Sequence, residues 1–158
     1  MITLLYIIVV GLISTLILDL WGLLLQKVYG VGGTDWGVVG QWLRQVPNGR
    51  IFYNAEKAPA VTSDDQRAGW IFHYAVGIFY AFLLVLIGGY DFIGAPSFFP
   101  FLFVGFILSS LAGLFVLIPC LGGGLCGLQT PRPGQTIGLL LLAHLIFMLG
   151  QYLAASLF

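Results

Sequence analysis

The sequence predicts an all-α integral membrane protein, a four-transmembrane-helix bundle with a short interfacial amphipathic helix in its first cytoplasmic loop. Three observations carry that prediction. The composition is 59% hydrophobic and 8% charged, where soluble domains are roughly a quarter charged. A fold of this length cannot hide so much Leu, Ile, Val and Phe, because a large share of any folded surface faces water. The apolar residues also fall into four runs, each near the ~20 residues that cross ~30 Å of hydrocarbon as a helix. Finally, one long polar stretch, Gln26 to Arg67, holds every basic residue except Arg132. One membrane domain, residues 1–158, is expected, with spans at about 2–25, 68–87, 98–118 and 136–157 and loops 26–67 and 119–135.

The first apolar run has no Lys or Arg ahead of it and no small-x-small cleavage site behind it. It therefore reads as an uncleaved span rather than a secretory signal. Its anomaly is Asp19. Gly11, Thr15, Asp19, Gly22 and Gln26 share one helical face. An ionised carboxylate in hydrocarbon costs at least ~2.5 kcal/mol, so that face should turn inward.

In the polar stretch, Thr34 or Asp35 can cap a helix that sets Trp36, Val39, Leu43 and Val46 against Gln41, Arg44 and Gln45. Such a helix suits the membrane interface. Trp36 and Trp42 would bury their rings at headgroup level with Arg44 among the polar residues. Pro47-Asn48-Gly49 then turns the chain.

Ser63 and Gln66 have capping-box spacing ahead of span two, with Asp64 and Asp65 beside the positive end of the helix dipole. Gly69, His73, Gly77 and Tyr80 then share a face. A short connection with Asp91 and Pro96 makes spans two and three antiparallel neighbours. Span three repeats small residues every fourth position at Gly105, Ser109 and Gly113, the pattern of close helix approach in lipid. Pro119 ends or kinks it. The apolar run from Leu121 to Leu128 holds too many glycines for a stable helix. Thr130 to Gly134 breaks helix, and span four follows with His144, Met148, Gln151 and Ala155 along one face.

Four spans place all six Lys and Arg on one side. The positive-inside rule makes that side cytoplasmic and both termini periplasmic. At 1.5 Å per residue, Asp19, His73 and His144 then lie roughly 9, 8 and 12 Å from the cytoplasmic ends of their spans. Three ionisable groups thus share one layer, with Thr15 and Gln151 as further polar members.

Several short motifs recur in order along the chain: Asp19-Leu20-Trp21; Asp35-Trp36-Gly37 with Gly40 and Trp42; Pro47 with Gly49; Gly69-Trp70 with His73-Tyr74 and Gly77; Thr130-Pro131-Arg132-Pro133; and His144. Together they resemble an uncharacterised bacterial inner-membrane family, domain of unknown function 2938. The resemblance covers nearly the whole chain and implies four spans in a bacterial inner membrane. It implies no activity.

For function, the leading reading is binding or transport of a proton or small solute through the layer of Asp19, His73 and His144, since a carboxylate and imidazoles can change charge there. The rival is a non-catalytic accessory subunit or scaffold of a membrane complex. In that case Asp19 merely bonds Thr15, a tyrosine or a carbonyl, and the histidines bridge helices. No cofactor is predicted. A metal on His73, His144 and Asp19, or a haem on the two histidines, is a weaker candidate, because no close-spaced ligand motif exists and the rings differ in depth by ~4 Å.

Cys120 and Cys126 have neither redox-pair nor common zinc spacing and read as small apolar residues. The glycine triplet lacks the Lys-Ser or Lys-Thr of a phosphate loop, and no nucleophile elbow is present. The lipid bilayer is the expected partner, alongside a homo-oligomer or a membrane-protein partner. A net charge of zero without a basic run gives no nucleic-acid footprint. A periplasm-active reporter fused at Phe158 should be active, and a cytoplasm-active one silent; the reverse pattern would overturn the orientation.

Overall fold

The computed structural model describes residues Met1–Phe158 and contains helices, turns and no strand. The principal helices are α1 (Ile2–Tyr29), α2 (Trp36–Gln45), α3 (Ser63–Gly88), α4 (Phe98–Cys120) and α5 (Pro133–Ala155). Of these, α1, α3, α4 and α5 are long and apolar enough to cross a membrane. Single 3-10 turns lie at Val46–Asn48, Ala55–Lys57, Tyr90–Ile93 and Leu125–Gly127.

The helix ends follow from local chemistry and run past the hydrophobic segments. Helix α1 continues to Tyr29 because Gly30 adopts a left-handed conformation at φ 65° and donates its N–H to the Gln26 carbonyl at 3.0 Å. Helix α3 starts at Ser63 because Thr62 and Asp65 cap it reciprocally. The Thr62 N–H donates to Asp65 Oδ2 at 2.8 Å, and the Asp65 N–H donates to Thr62 Oγ1 at 3.2 Å. The capping box therefore sits one residue before the expected Ser63–Gln66 pair. A carboxylate is a stronger acceptor than a carboxamide for the orphan N–H, and Arg44 also holds this one in place. Helix α5 begins at Pro133, whose fixed φ suits a first helical position.

Helix α4 departs from ideal geometry. Over Phe101–Leu108 and Gly113–Leu117 the backbone bonds step five residues instead of four, so the Ser109 N–H reaches back to the Val104 carbonyl. Such wide turns are rare and usually short.

The chain forms two compact units. The first comprises Met1–Gly33, Tyr74–Ser110 and Leu141–Phe158. Its core holds Tyr6, Val10, Ala81, Leu84, Phe92, Phe101, Val104 and Met148. Small residues set its helix spacing. A side chain at Gly11 would stand 2.6 Å from the Ile78 Cα, Thr15 Oγ1 occupies the space beside Gly77, and a side chain at Gly150 would stand 3.1 Å from the Ser14 Cα. Leu5, Leu12, Leu16, Leu20 and Leu23 of α1 are exposed, which hydrocarbon tolerates and water does not.

The second unit comprises Thr34–His73 and Leu111–Leu140. Asp35 caps α2 by accepting from the Gly37 and Val38 N–H groups at 2.9 and 3.2 Å. Helix α2 then lies directly on the first turns of α3. A Cβ at Gly40 would collide with the Asp65 carbonyl, and one at Gly69 with the Trp36 carbonyl. The glycine-rich segment after α4 folds into turns closed by the Gly123 N–H on the Ile118 carbonyl and the Gln129 N–H on the Gly123 carbonyl, both 2.9 Å. Gly122, Gly124 and Gly127 all have positive φ there, and Cys126 joins them at φ 53°. Tyr53 fastens this segment to the first loop, since its N–H donates to the Cys120 carbonyl at 2.7 Å.

Gly40→Ala should lower the thermal midpoint in detergent by several degrees, since overpacking against rigid backbone costs about 1–3 kcal/mol. Gly138→Ala, where a Cβ meets nothing within 4 Å, should leave the midpoint unchanged or raise it.

Candidate functional site: intramembrane polar groups and the α2 platform

Polar side chains on spanning helices must find bonds within the protein, and most of them do so locally. In the first unit, Ser14 donates to the Val10 carbonyl at 2.7 Å, Thr15 to the Gly11 carbonyl at 2.7 Å and Ser109 to the Gly105 carbonyl at 2.6 Å. These are back-bonds within one helix. They leave such residues as packing elements with no donor to spare. Thr15 therefore marks the close approach to Gly77 and does not bond Asp19.

The ionisable members reach between helices. Asp19 of α1 accepts a hydrogen bond from the Tyr74 hydroxyl of α3 at 2.8 Å. His144 of α5 meets Ser110 of α4, with 3.2 Å between Nδ1 and the hydroxyl oxygen, and the imidazole tautomer decides which of them donates. Gln151, two turns further along α5, is fully buried, and neither its Nε2 nor its Oε1 has a partner within the protein. Its Oε1 lies where a side chain at Gly105 would be, beside the wide turns of α4. Burying an unpaired amide typically costs about 1–3 kcal/mol. The Tyr6 hydroxyl and Trp21 Nε1 in this unit are likewise buried without partners.

His73 belongs to the second unit, where its ring stacks on Trp36 at 4.0 Å and meets Trp70 edge-on at 5.7 Å. No three His, Cys, Asp or Glu side chains are grouped so as to hold a metal ion, and Asp19, His73 and His144 do not form such a group. Cys120 and Cys126 are free thiols, the former buried.

The α2 residues expected at headgroup level have protein partners. Trp36 stacks on His73, and Trp42 donates its Nε1 hydrogen to the Ile51 carbonyl at 2.7 Å while meeting Phe72 edge-on. Arg44 pairs with the fully buried Asp65 carboxylate, whose other oxygen accepts from the Thr62 hydroxyl at 2.6 Å. Gln41, on the polar side of α2, is buried. It donates to the Pro59 carbonyl at 2.9 Å and accepts from the Tyr53 hydroxyl at 2.7 Å. Burial raises the Tyr53 phenol above its usual pKa, and the negative charges of Asp35 and Asp65 add to that, so it remains a donor at neutral pH.

Ser110 carries no signal in a single sequence, and Tyr74 shows there only as a motif residue and as one of the tyrosines open to Asp19, because such pairing depends on helix rotation. The Thr62, Asp65 and Arg44 cluster has a partial signal in the threonine three residues before an aspartate. Gln151→Met keeps the side-chain length and removes the unpaired amide. It should raise the thermal midpoint in detergent, and a fall would show that the amide has bonding partners in the folded protein.

The sequence finds no match among curated proteins and none among solved structures. One family model matches residues 8–158, nearly the entire chain. With its four potential membrane-crossing helices, the chain therefore belongs to the family described as protein of unknown function, DUF2938.

Proposed function

We propose that the protein is a multi-pass protein of the bacterial inner membrane, with both termini periplasmic, that handles protons or a small polar solute through its intramembrane polar groups. The orientation rests on the placement of all six Lys and Arg in two loops. The functional reading is carried by one observation. Asp19, a carboxyl on a helix apolar enough to cross the membrane, accepts a hydrogen bond from Tyr74 of another such helix, which turns it toward the protein, where an intramembrane group that changes charge can act.

Two features agree with that reading. A Ser110–His144 pair lies in the same unit as Asp19, and so does the unpartnered Gln151 amide. A carboxyl and an imidazole can exchange a proton, and an amide with open bonding capacity can accept a polar guest.

The test is proton flux in proteoliposomes containing the full chain, read with an entrapped pH-sensitive dye under an imposed potassium diffusion potential. The wild type should change the internal pH faster than protein-free vesicles do. Asp19→Asn should abolish the difference and Asp19→Glu should retain it. Equal rates for the wild type and Asp19→Leu, both above the empty vesicles, would remove Asp19 from the mechanism. Wild-type rates equal to empty vesicles across protons and small polar solutes would sink the reading.

A further inference from the structure

The first loop contains a cavity that the intramembrane groups do not explain. It has a volume of about 740 Å³ and lies between the polar side of α2 and the segment that follows it. Its lining includes Gln41, Arg44, Gln45, Arg50, Asn54 and Lys57, and no carboxylate. Three of the six basic residues of the whole chain thus border one space. Arg44 is committed to Asp65, whereas Arg50 and Lys57 form no ion pair, since Arg44–Asp65 and Arg67–Asp64 account for the salt bridges of this unit.

The walls are fixed by bonds rather than by the ligand. Gly49, at φ 76°, turns the chain after α2, and its N–H donates to the Val46 carbonyl at 2.9 Å. The Arg50 N–H bonds the Gln45 carbonyl at 3.3 Å, so these two carbonyls at the negative end of α2 are already occupied. Trp42 holds Ile51, and Asn54 Oδ1 accepts from the Glu56 and Lys57 N–H groups, which sets the base of the Lys57 side chain. Gln41 is locked between Pro59 and Tyr53.

We infer that this cavity binds a phosphate group, with Arg50 and Lys57 supplying the charge, and Arg44, Gln45 and Asn54 supplying further donors. Guanidinium forks match phosphate oxygens two at a time, an ammonium adds a point charge, and carboxamide N–H groups can complete the shell. Two sources present this chemistry beside a membrane, namely the phosphodiester of an anionic lipid and free phosphate. The site is independent of the proton or solute reading, since none of its residues lies in the unit that holds Asp19.

Two titrations on the full chain in a non-ionic detergent test the assignment. Inorganic phosphate is titrated by calorimetry, and phosphatidylglycerol by counting bound lipids in native mass spectra. Saturable binding of either probe at one site is expected. Arg50→Gln with Lys57→Gln should weaken it by about ten-fold or more, as expected for losing charge-assisted hydrogen bonds. Arg67→Gln and Arg132→Gln, which lie outside the cavity lining, should leave it intact. Mutual competition assigns the shared phosphate, saturation by the lipid alone assigns a headgroup, and saturation by inorganic phosphate alone assigns a soluble ligand. Binding of neither probe, or equal loss in the Arg67→Gln and Arg132→Gln variants, overturns the proposal. The thermal midpoint of the double variant, expected to match wild type without ligand, separates lost binding from lost folding.

Discussion

Hydrocarbon offers a backbone no hydrogen-bond partner, and this constraint orders the rest of the structure. Each unsatisfied N–H or carbonyl there costs several kcal/mol, so the segments that can cross a membrane are unbroken helix. The same demand reaches the side chains. Serines and threonines on these helices return their hydrogen bonds to carbonyls one turn back, which lets small polar residues pack closely without needing a partner across the interface. Ionisable and amide groups have no such local solution, so they mark the places where one helix depends on another.

Helix starts and stops show the same logic outside the apolar runs. Four N–H groups at the start of α3 need acceptors; the Thr62 hydroxyl takes that of Asp65, the Asp65 carboxylate takes that of the cap residue Thr62, and Arg44 offsets the buried charge. Asp65 thereby stabilises a helix start and anchors α2 at once. The two glycines at the α2–α3 contact, Gly40 and Gly69, then allow backbone to rest on backbone. In this region the polar groups organise the fold and the apolar ones fill it.

The helical class and the four long apolar helices were legible in composition and spacing, because hydrophobic length is a property of the chain alone, and the family showed in short motifs kept in order along it. Helix ends were legible only in part. Gly30 extended α1 beyond its leucines, and the α3 cap shifted by one residue because a carboxylate outcompeted a glutamine. Among the polar groups, Asp19, His144 and Gln151 stood out by being costly in hydrocarbon, while their surroundings did not. That Asp19 meets Tyr74, and that Gln151 meets no partner at all, depends on helix rotation. The wide turns of α4 alter which residues that helix presents and leave no trace in the spacing of its small residues. Nor could the amphipathic pattern of α2 show that its polar side would be covered, because Tyr53 and Pro59, which cover Gln41, come from the following loop.

Tyr53 imposes an order of assembly. Its N–H is held by the Cys120 carbonyl and its hydroxyl by Gln41, so the first loop is completed by a residue made much later in the chain. Closing so distant a contact is slow compared with winding a helix. During synthesis α1, α2 and α3 can all form while Tyr53 still lacks its partner on the second loop. The tie between the two loops is then among the last contacts to close, and a chain interrupted before Cys120 would keep the bonds that shape the basic pocket within residues 41–59 while leaving the Tyr53 N–H unanswered.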